Sequence, residues 1–161
     1  MNWNNIILPR VSSGCYHGHP VVAQRTPVEY TQIRPRHSAT IDGEEGRDKD
    51  IPRPVASVSE ATFPEWLIGV LRQKGFEEPT SNQVQVWPAA LRSHDLVGTA
   101  EAGSGKTIAY VPPMLAHSQA QEELHPGEGP VGIVVVPAQE LCSQAQENTQ
   151  EFPGVAGGPD P

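Results

Sequence analysis

Ala100-Glu101-Ala102-Gly103-Ser104-Gly105-Lys106-Thr107 is the stretch on which the fold turns. It fits the phosphate-binding P-loop pattern GxxxxGK[ST], with Ala100 in place of the first glycine. A strand-like run, Asp95-Leu96-Val97-Gly98-Thr99, precedes it, and a helix-compatible run from Ile108 to Ala116 follows. Strand, glycine-rich loop and helix form the context that the pattern needs. Gly103 and Gly105 let the backbone bend so that successive N–H groups face one anion. The helix N-terminus adds partial positive charge. Lys106 is placed to reach the outer phosphates of a nucleotide, and Thr107 to hold Mg2+, with Ala102 and Ser104 completing the loop. The bland reading of the same residues is a chance Gly-Ser turn.

Outward from the loop, the charge is uneven. The chain has 161 residues and a formal net charge of −8. Lys106 is the sole Lys or Arg after residue 96, against eight carboxylates in the same stretch. Such a balance argues against a nucleic-acid binder of the basic-patch kind. Cys15 and Cys142 are too far apart in sequence to suggest a metal motif or a disulfide framework. No secretory signal or membrane span is expected, because the apolar run Ile6-Ile7-Leu8 is far too short. Seventeen Pro and fifteen Gly predict long irregular segments.

In chain order, residues 1–57 read as an irregular extension. Pro9, Pro20, Pro27, Pro35, Pro52 and Pro54 break up every possible helix, and Asp42 to Asp50 reads as a charged linker. Structure is expected from near Ser59. A cap close to Thr62, with Pro64 in the first turn, starts a helix whose apolar face is Trp66, Leu67, Val70 and Leu71. Gly75 closes it. After a turn at Phe76–Ser81, a second helix carries Gln83, Val84, Trp87 and Leu91 and is kinked or restarted at Pro88. The Gln83 amide could pair with a donor and an acceptor on a planar base edge, or it is a solvated helix residue. Pro112 and Pro113 conflict with a continuous helix after the P-loop, so that helix bends or stops. Ile133-Val134-Val135-Val136 reads as a buried parallel strand, ended by Pro137. Gln139 to Asn148 reads as a helix, and residues 152–161 as an irregular tail. The order is one right-handed crossover of an α/β sheet with two core strands, which is the beginning of a domain.

The chain resembles the N-terminal part of the DEAD-box ATP-dependent RNA helicases, and most of all the p68/p72-like subfamily. Tyr16 to Pro20, Arg25-Thr26, Tyr30 and Ser38 to Ile41 resemble that subfamily's pre-core segment, and Ile51 to Pro54 its proline-rich lead-in. Gly75 to Gln83 resembles the adenine-reading Q motif, Ala100 to Thr107 motif I, and Pro137-Ala138-Gln139-Glu140-Leu141 motif Ia. The resemblance implies an incomplete RecA-like P-loop domain over residues 58–151. It implies ATP with Mg2+ as cofactor, RNA as partner, possible protein partners through residues 1–57, and a nuclear location, with a cytoplasmic one left open. Gln83 would read the adenine edge, with Phe76 and Thr80 shaping the wall. Gly103 and Gly105 would supply the anion nest, Lys106 would hold the β- and γ-phosphates, and Thr107 would coordinate Mg2+. Pro137, Glu140 and Leu141 would frame the RNA backbone.

The sequence departs from that family at several points. Val58 stands where the adenine-stacking aromatic belongs, and Ala102 where the loop has Thr. Asn82 replaces an apolar residue, Ala138 and Gln139 replace Thr and Arg, and Pro112 replaces a helix-former. The Asp-Glu-Ala-Asp segment does not occur in the 161 residues. Phosphoryl transfer needs the metal held and charge neutralised, and Lys106 and Thr107 alone do not do both. Asp95 and Glu101 are not expected to substitute. The expectation is therefore a helicase homologue that is truncated and catalytically silent by itself. The competing readings are a piece of an active enzyme, a non-catalytic binding protein acting through residues 1–57 and the Trp66/Leu67/Leu71 face, and an unselected fragment of a helicase gene.

Overall fold

The computed structural model describes residues 18–36 and 51–152. Six α-helices form there: α1 (Pro20–Gln24), α2 (Pro27–Arg36), α3 (Glu65–Gln73), α4 (Gln83–Leu91), α5 (Lys106–Gln119) and α6 (Gln139–Gln150), with a 3-10 turn at Val58–Ala61 before α3. Cys15 to His17, Ser38 to Ile41, Asp42 to Asp50 and the tail beyond Phe152 lie outside the described residues.

The core is built on α3, α4 and α5. Leu67 and Leu71 of α3, Trp87 and Leu91 of α4, and Val111 and Leu115 of α5 meet in one buried cluster. The α3 face is thus the one expected, with Trp66 half-buried at its edge and its indole donating to Gln119 Oε1 at 2.5 Å. Since Leu67 and Leu71 are fully covered within the chain, that face is not free for a partner. Gly75 ends α3 at φ 80°. The Phe76 and Gly75 N–H groups return to the Leu71 and Arg72 carbonyls at 2.9 Å each, a Schellman closure. The start differs from the expectation. Thr62 is left-handed (φ 55°) and ends the 3-10 turn, while Pro64 is the cap residue of α3.

Pro20–Gln24 and Pro27–Arg36 are helical where an irregular extension is expected, whereas residues 51–57 hold no helix or strand, as expected. Pro20 and Pro27 open helices rather than breaking them, since a first-turn position has no N–H bond to lose. Thr26 and Glu29 form a capping box: the Thr26 N–H donates to Glu29 Oε2 at 2.7 Å, and the Glu29 N–H to Thr26 Oγ1 at 3.4 Å. The segment is docked on the core. Val22 and Val55 are buried there, Arg25 pairs with Glu60 at 2.5 Å, and Arg53 donates to the Val22 and Ala23 carbonyls. Burial pushes the Glu60 carboxyl up, but Arg25 and the Ala56 N–H outweigh it and hold it below its ordinary value. Phe152 is buried as well, beneath Lys74, which pairs with Glu151. The expected tail therefore begins with an anchoring residue.

The interior prolines do not stop their helices. Pro88 lies inside α4, and Pro112 and Pro113 inside α5, which runs unbroken for 14 residues. A proline at position i withholds the bond to carbonyl i−4. For Pro88 that carbonyl is Val84, and the Val55 N–H takes it at 3.1 Å. For Pro112 it is Ile108, and the Trp87 indole takes it at 3.0 Å. Tertiary donors thus take the carbonyls that Pro88 and Pro112 leave.

The two expected strands are not formed. Residues 95–99 and 133–136 are neither helix nor strand, and no strand occurs among the described residues. Both segments nonetheless run over the helical layer. A Cβ at Gly98 would stand 3.3 Å from Asn82 and 3.8 Å from Val86 on α4, and one at Gly132 would stand 3.1 Å from Met114 on α5. Their outer sides are open, with Val97 97% and Val135 88% exposed. A parallel strand needs hydrogen-bonding neighbours and cover on both faces. The two segments do not pair with each other, and so no ladder forms.

Candidate nucleotide site

The P-loop bend is present where the glycines predict it. Gly103 and Gly105 take left-handed φ values of 76° and 79°, and α5 begins at Lys106 immediately after. The first helical bond runs from the Ala109 N–H to the Gly105 carbonyl at 3.0 Å. Lys106 curls over its own loop and donates to the Ala100 and Glu101 carbonyls at 2.8 and 2.6 Å. Thr107 is half-buried on the first turn of α5, while Ala102 and Gly103 are exposed.

Gln83 joins this loop from α4. It is fully buried, accepts from the Thr80 N–H at 3.0 Å and donates to the Gly105 carbonyl at 3.2 Å. It is therefore not the solvated helix residue of the alternative reading. The contact is close: a Cβ on Gly105 would lie 2.8 Å from Gln83 Nε2. Sequence reading placed Gln83 and the loop at one site, but did not find that one bonds the other across 22 residues. The signal available was a small residue, Gly105, where a second backbone approaches.

The structure brings Thr80, Gln83, Gly105 and Lys106 together. Phe76 packs against the core beside them in sequence, half-buried. Val58, at the position of the expected aromatic, is 1% exposed and belongs to the core. Pro137, Glu140 and Leu141 sit on a different element, at the exposed start of α6. Two buried hydroxyls in the site, Thr80 Oγ1 and Ser104 Oγ, have no hydrogen-bond partner. Leaving a buried hydroxyl unpaired costs about 1–3 kcal/mol, so such groups call for an explanation such as a ligand. The Thr80 and Ser104 hydroxyls and the left-handed turn supply donors of the kind that a phosphate group accepts from. No cluster of His, Cys, Asp and Glu that could hold a metal unaided occurs among the described residues.

Comparison with known proteins agrees with the geometry. Residues 80–158 match the DEAD/DEAH box helicase family. The chain is 40% identical over 151 residues to the ATP-dependent RNA helicase DBP2 of Ajellomyces capsulatus, covering 94% of this chain and 27% of that protein. It is 39% identical over 151 residues to its Neurospora crassa counterpart, covering 94% and 26%. The chain thus spans about a quarter of the length of the curated relatives it matches. Among solved structures it is similar to the RNA helicase Prp28 from Chaetomium thermophilum bound to ADP, at TM-score 0.69 and 27% identity, over 88% of this chain and 32% of that one. The yeast DEAD-box splicing factor Prp28 shares the fold at TM-score 0.69 and 24% identity, over 81% and 30%. The incomplete α/β RecA-like architecture is therefore that of these helicase domains, and the chain belongs to the DEAD-box helicase family, p68-like in sequence.

Proposed function

We propose that this chain provides the nucleotide-facing first portion of an ATP-dependent RNA helicase, binding ATP with Mg2+ between the Q motif and the P-loop. One observation carries this reading: Gln83 is bonded to the carbonyl of the left-handed glycine that precedes Lys106. The ADP named with the similar Prp28 structure supports it. Lys106, now on the Ala100 and Glu101 carbonyls, would hold the β- and γ-phosphates, and Thr107 would hold Mg2+. Gly103, Ser104 and Gly105 present N–H groups to the phosphates, beside Ala102. Magnesium supplies charge neutralisation at the phosphates. Gln83 keeps one N–H and one lone pair for the adenine edge beside Phe76 and Thr80. Its full burial means that reading the base requires its bond to Thr80 or Gly105 to shift.

Pro137, Glu140 and Leu141 form the proposed RNA path at the start of α6. The absence of a cation there, where Gln139 stands, makes RNA affinity low and only weakly salt-dependent. Protein partners would meet residues 18–36, whose Val21 and Val28 are exposed. A nuclear location follows from the subfamily and is checked by imaging the tagged chain.

Calorimetric titration with MgATP tests the site. Binding weaker than micromolar is expected, since Val58 offers no stacking ring and Ala102 no hydroxyl. Lys106→Ala abolishes it while leaving the melting temperature within about 2 °C, because an exposed side chain contributes little to stability. The 161 residues by themselves give no RNA-stimulated hydrolysis. Affinity indifferent to Lys106→Ala rejects the assignment of the phosphate site.

A further inference from the structure

Gln83 and Trp87 are one helical turn apart on α4 and share a face. Their side-chain donors end on the Gly105 and Ile108 carbonyls, at 3.2 and 3.0 Å. Those carbonyls flank Lys106 and Thr107. The α4 helix thus grips the phosphate-binding turn at two points, one on each side of the residues proposed to touch nucleotide. The Trp87 grip has a chemical cause on α5. Ile108 would ordinarily bond the N–H of residue 112, and Pro112 has none. Trp87 is fully buried, and its ring is held by the edge of Phe63 at 5.2 Å and 76°. Without the indole, the Ile108 carbonyl would be a buried acceptor with nothing to accept, in the first turn of α5.

We propose that Trp87 is a positioning residue for the P-loop turn, acting through the Ile108 carbonyl, and that Pro112 makes it necessary. The nucleotide half of this inference rests on the function proposed above; the hydrogen-bond coupling does not. Trp87→Phe keeps an aromatic ring and removes the N–H. Pro112→Leu returns an N–H to the helix. The two changes and their combination form a cycle in which packing effects unrelated to the shared carbonyl cancel.

In the native background, Trp87→Phe raises the unfolding equilibrium constant in urea by about tenfold for the orphaned buried acceptor, on top of the cavity that the smaller ring leaves. It also speeds amide hydrogen exchange at Ala109, whose bond to Gly105 closes the turn. In the Pro112→Leu background only the cavity cost remains, so the same change costs about tenfold less than in the native background, and Ala109 exchange returns to its native rate. Equal costs in both backgrounds would make Trp87 a packing residue only and overturn the proposal. If neither Phe variant folds, exchange of the Trp87 indole proton in the unmodified chain decides: slow exchange supports the bond, and fast exchange in folded protein rejects it. MgADP titration separates the two ideas. Coupling with no binding by the unmodified chain leaves Trp87 as the support of the turn and removes the nucleotide function.

Discussion

Gly103 and Gly105 share nearly the same left-handed φ, yet their surroundings differ, and this separates two costs. A Cβ at Gly103 meets nothing within 4 Å, whereas one at Gly105 meets Gln83 Nε2 at 2.8 Å and Thr80 at 3.4 Å. Gly103→Ala therefore carries backbone strain alone, about 1–2 kcal/mol. Gly105→Ala carries that strain and also drives Gln83 away from the Gly105 carbonyl. Losing that bond leaves buried polar groups unpaired, so Gly105→Ala is expected to cost about 1–3 kcal/mol more than Gly103→Ala in urea unfolding. Equal costs would mean that Gln83 does not hold the loop. The two glycines were readable in the sequence because a left-handed turn before a helix has few other solutions. The grip of Gln83 on one of them was not, because spacing along a chain says which residues share a motif but not which atoms meet. Nor could composition show that Val58 had left the nucleotide surface for the core, since an apolar residue suits both places.

The helices show how far local rules reach. The C-terminal end of α3 was readable at Gly75, where glycine takes the left-handed turn, but α4 makes the same closure with a serine. Ser93 sits at φ 58°, with its N–H on the Ala90 carbonyl at 2.8 Å and the His94 N–H on the Ala89 carbonyl at 3.1 Å. A side chain there is strained, and Ser93→Gly is expected to stabilise the protein by about 0.5–1 kcal/mol, read as a rise in the urea midpoint. The prolines misled in the other direction. Their penalty is a local rule, but for Pro88 and Pro112 its main component, an orphaned carbonyl, is cancelled by Val55 and Trp87 from elsewhere in the fold. The docking of α1 on the core, through Arg25 and Glu60, and the cap of α2, through Glu29, carry a pH dependence. Glu29 is held below its ordinary value of 4.5 first by the Thr26 N–H and then by the Thr26 hydroxyl. Glu60 is lowered too: burial raises it, and Arg25 and the Ala56 N–H more than reverse that. A carboxyl lowered on folding contributes stability that is present above its unfolded value and lost as pH falls through its folded one. Acidification below 4.5 should thus loosen residues 20–36 before the α3–α5 core. Amide protection measured against pH checks this. Simultaneous loss of protection in both regions would show that Glu60 does not govern the docking of α1 and that Glu29 does not set the stability of α2.

Taken together, the chain has a closed core and an open side. Trp87, Leu67, Leu71, Leu115 and Phe152 are buried to within 2% and draw on α3, α4, α5 and the segment after α6, which predicts one cooperative thermal transition by circular dichroism. Across the helical layer, however, the segments that read as parallel strands lie unpaired. The reading failed there because a strand is not a property of its own residues: Ile133 to Val136 have the right side chains, but a ladder also requires a neighbour with free N–H and C=O groups. What remain are exposed apolar side chains on each segment, Leu96 and Val97 on one and Ile133 and Val135 on the other, exposed by 43, 97, 72 and 88%. Unpaired segments rich in β-branched residues are templates for pairing with other chains. At a net charge of −8 the chains repel one another, but screening leaves that repulsion only a short range at physiological salt. Reversible self-association that grows with concentration and with salt is therefore expected in sedimentation velocity. Val97→Lys with Val135→Lys should suppress it, because a charge on each segment is costly to bury between two chains. The same changes should alter the unfolding free energy by less than about 1 kcal/mol, since both side chains are already in water. Association unchanged by the two lysines would place the contact elsewhere. A large loss of stability would mean that these segments are covered in solution, and that the open side is closed by the protein itself.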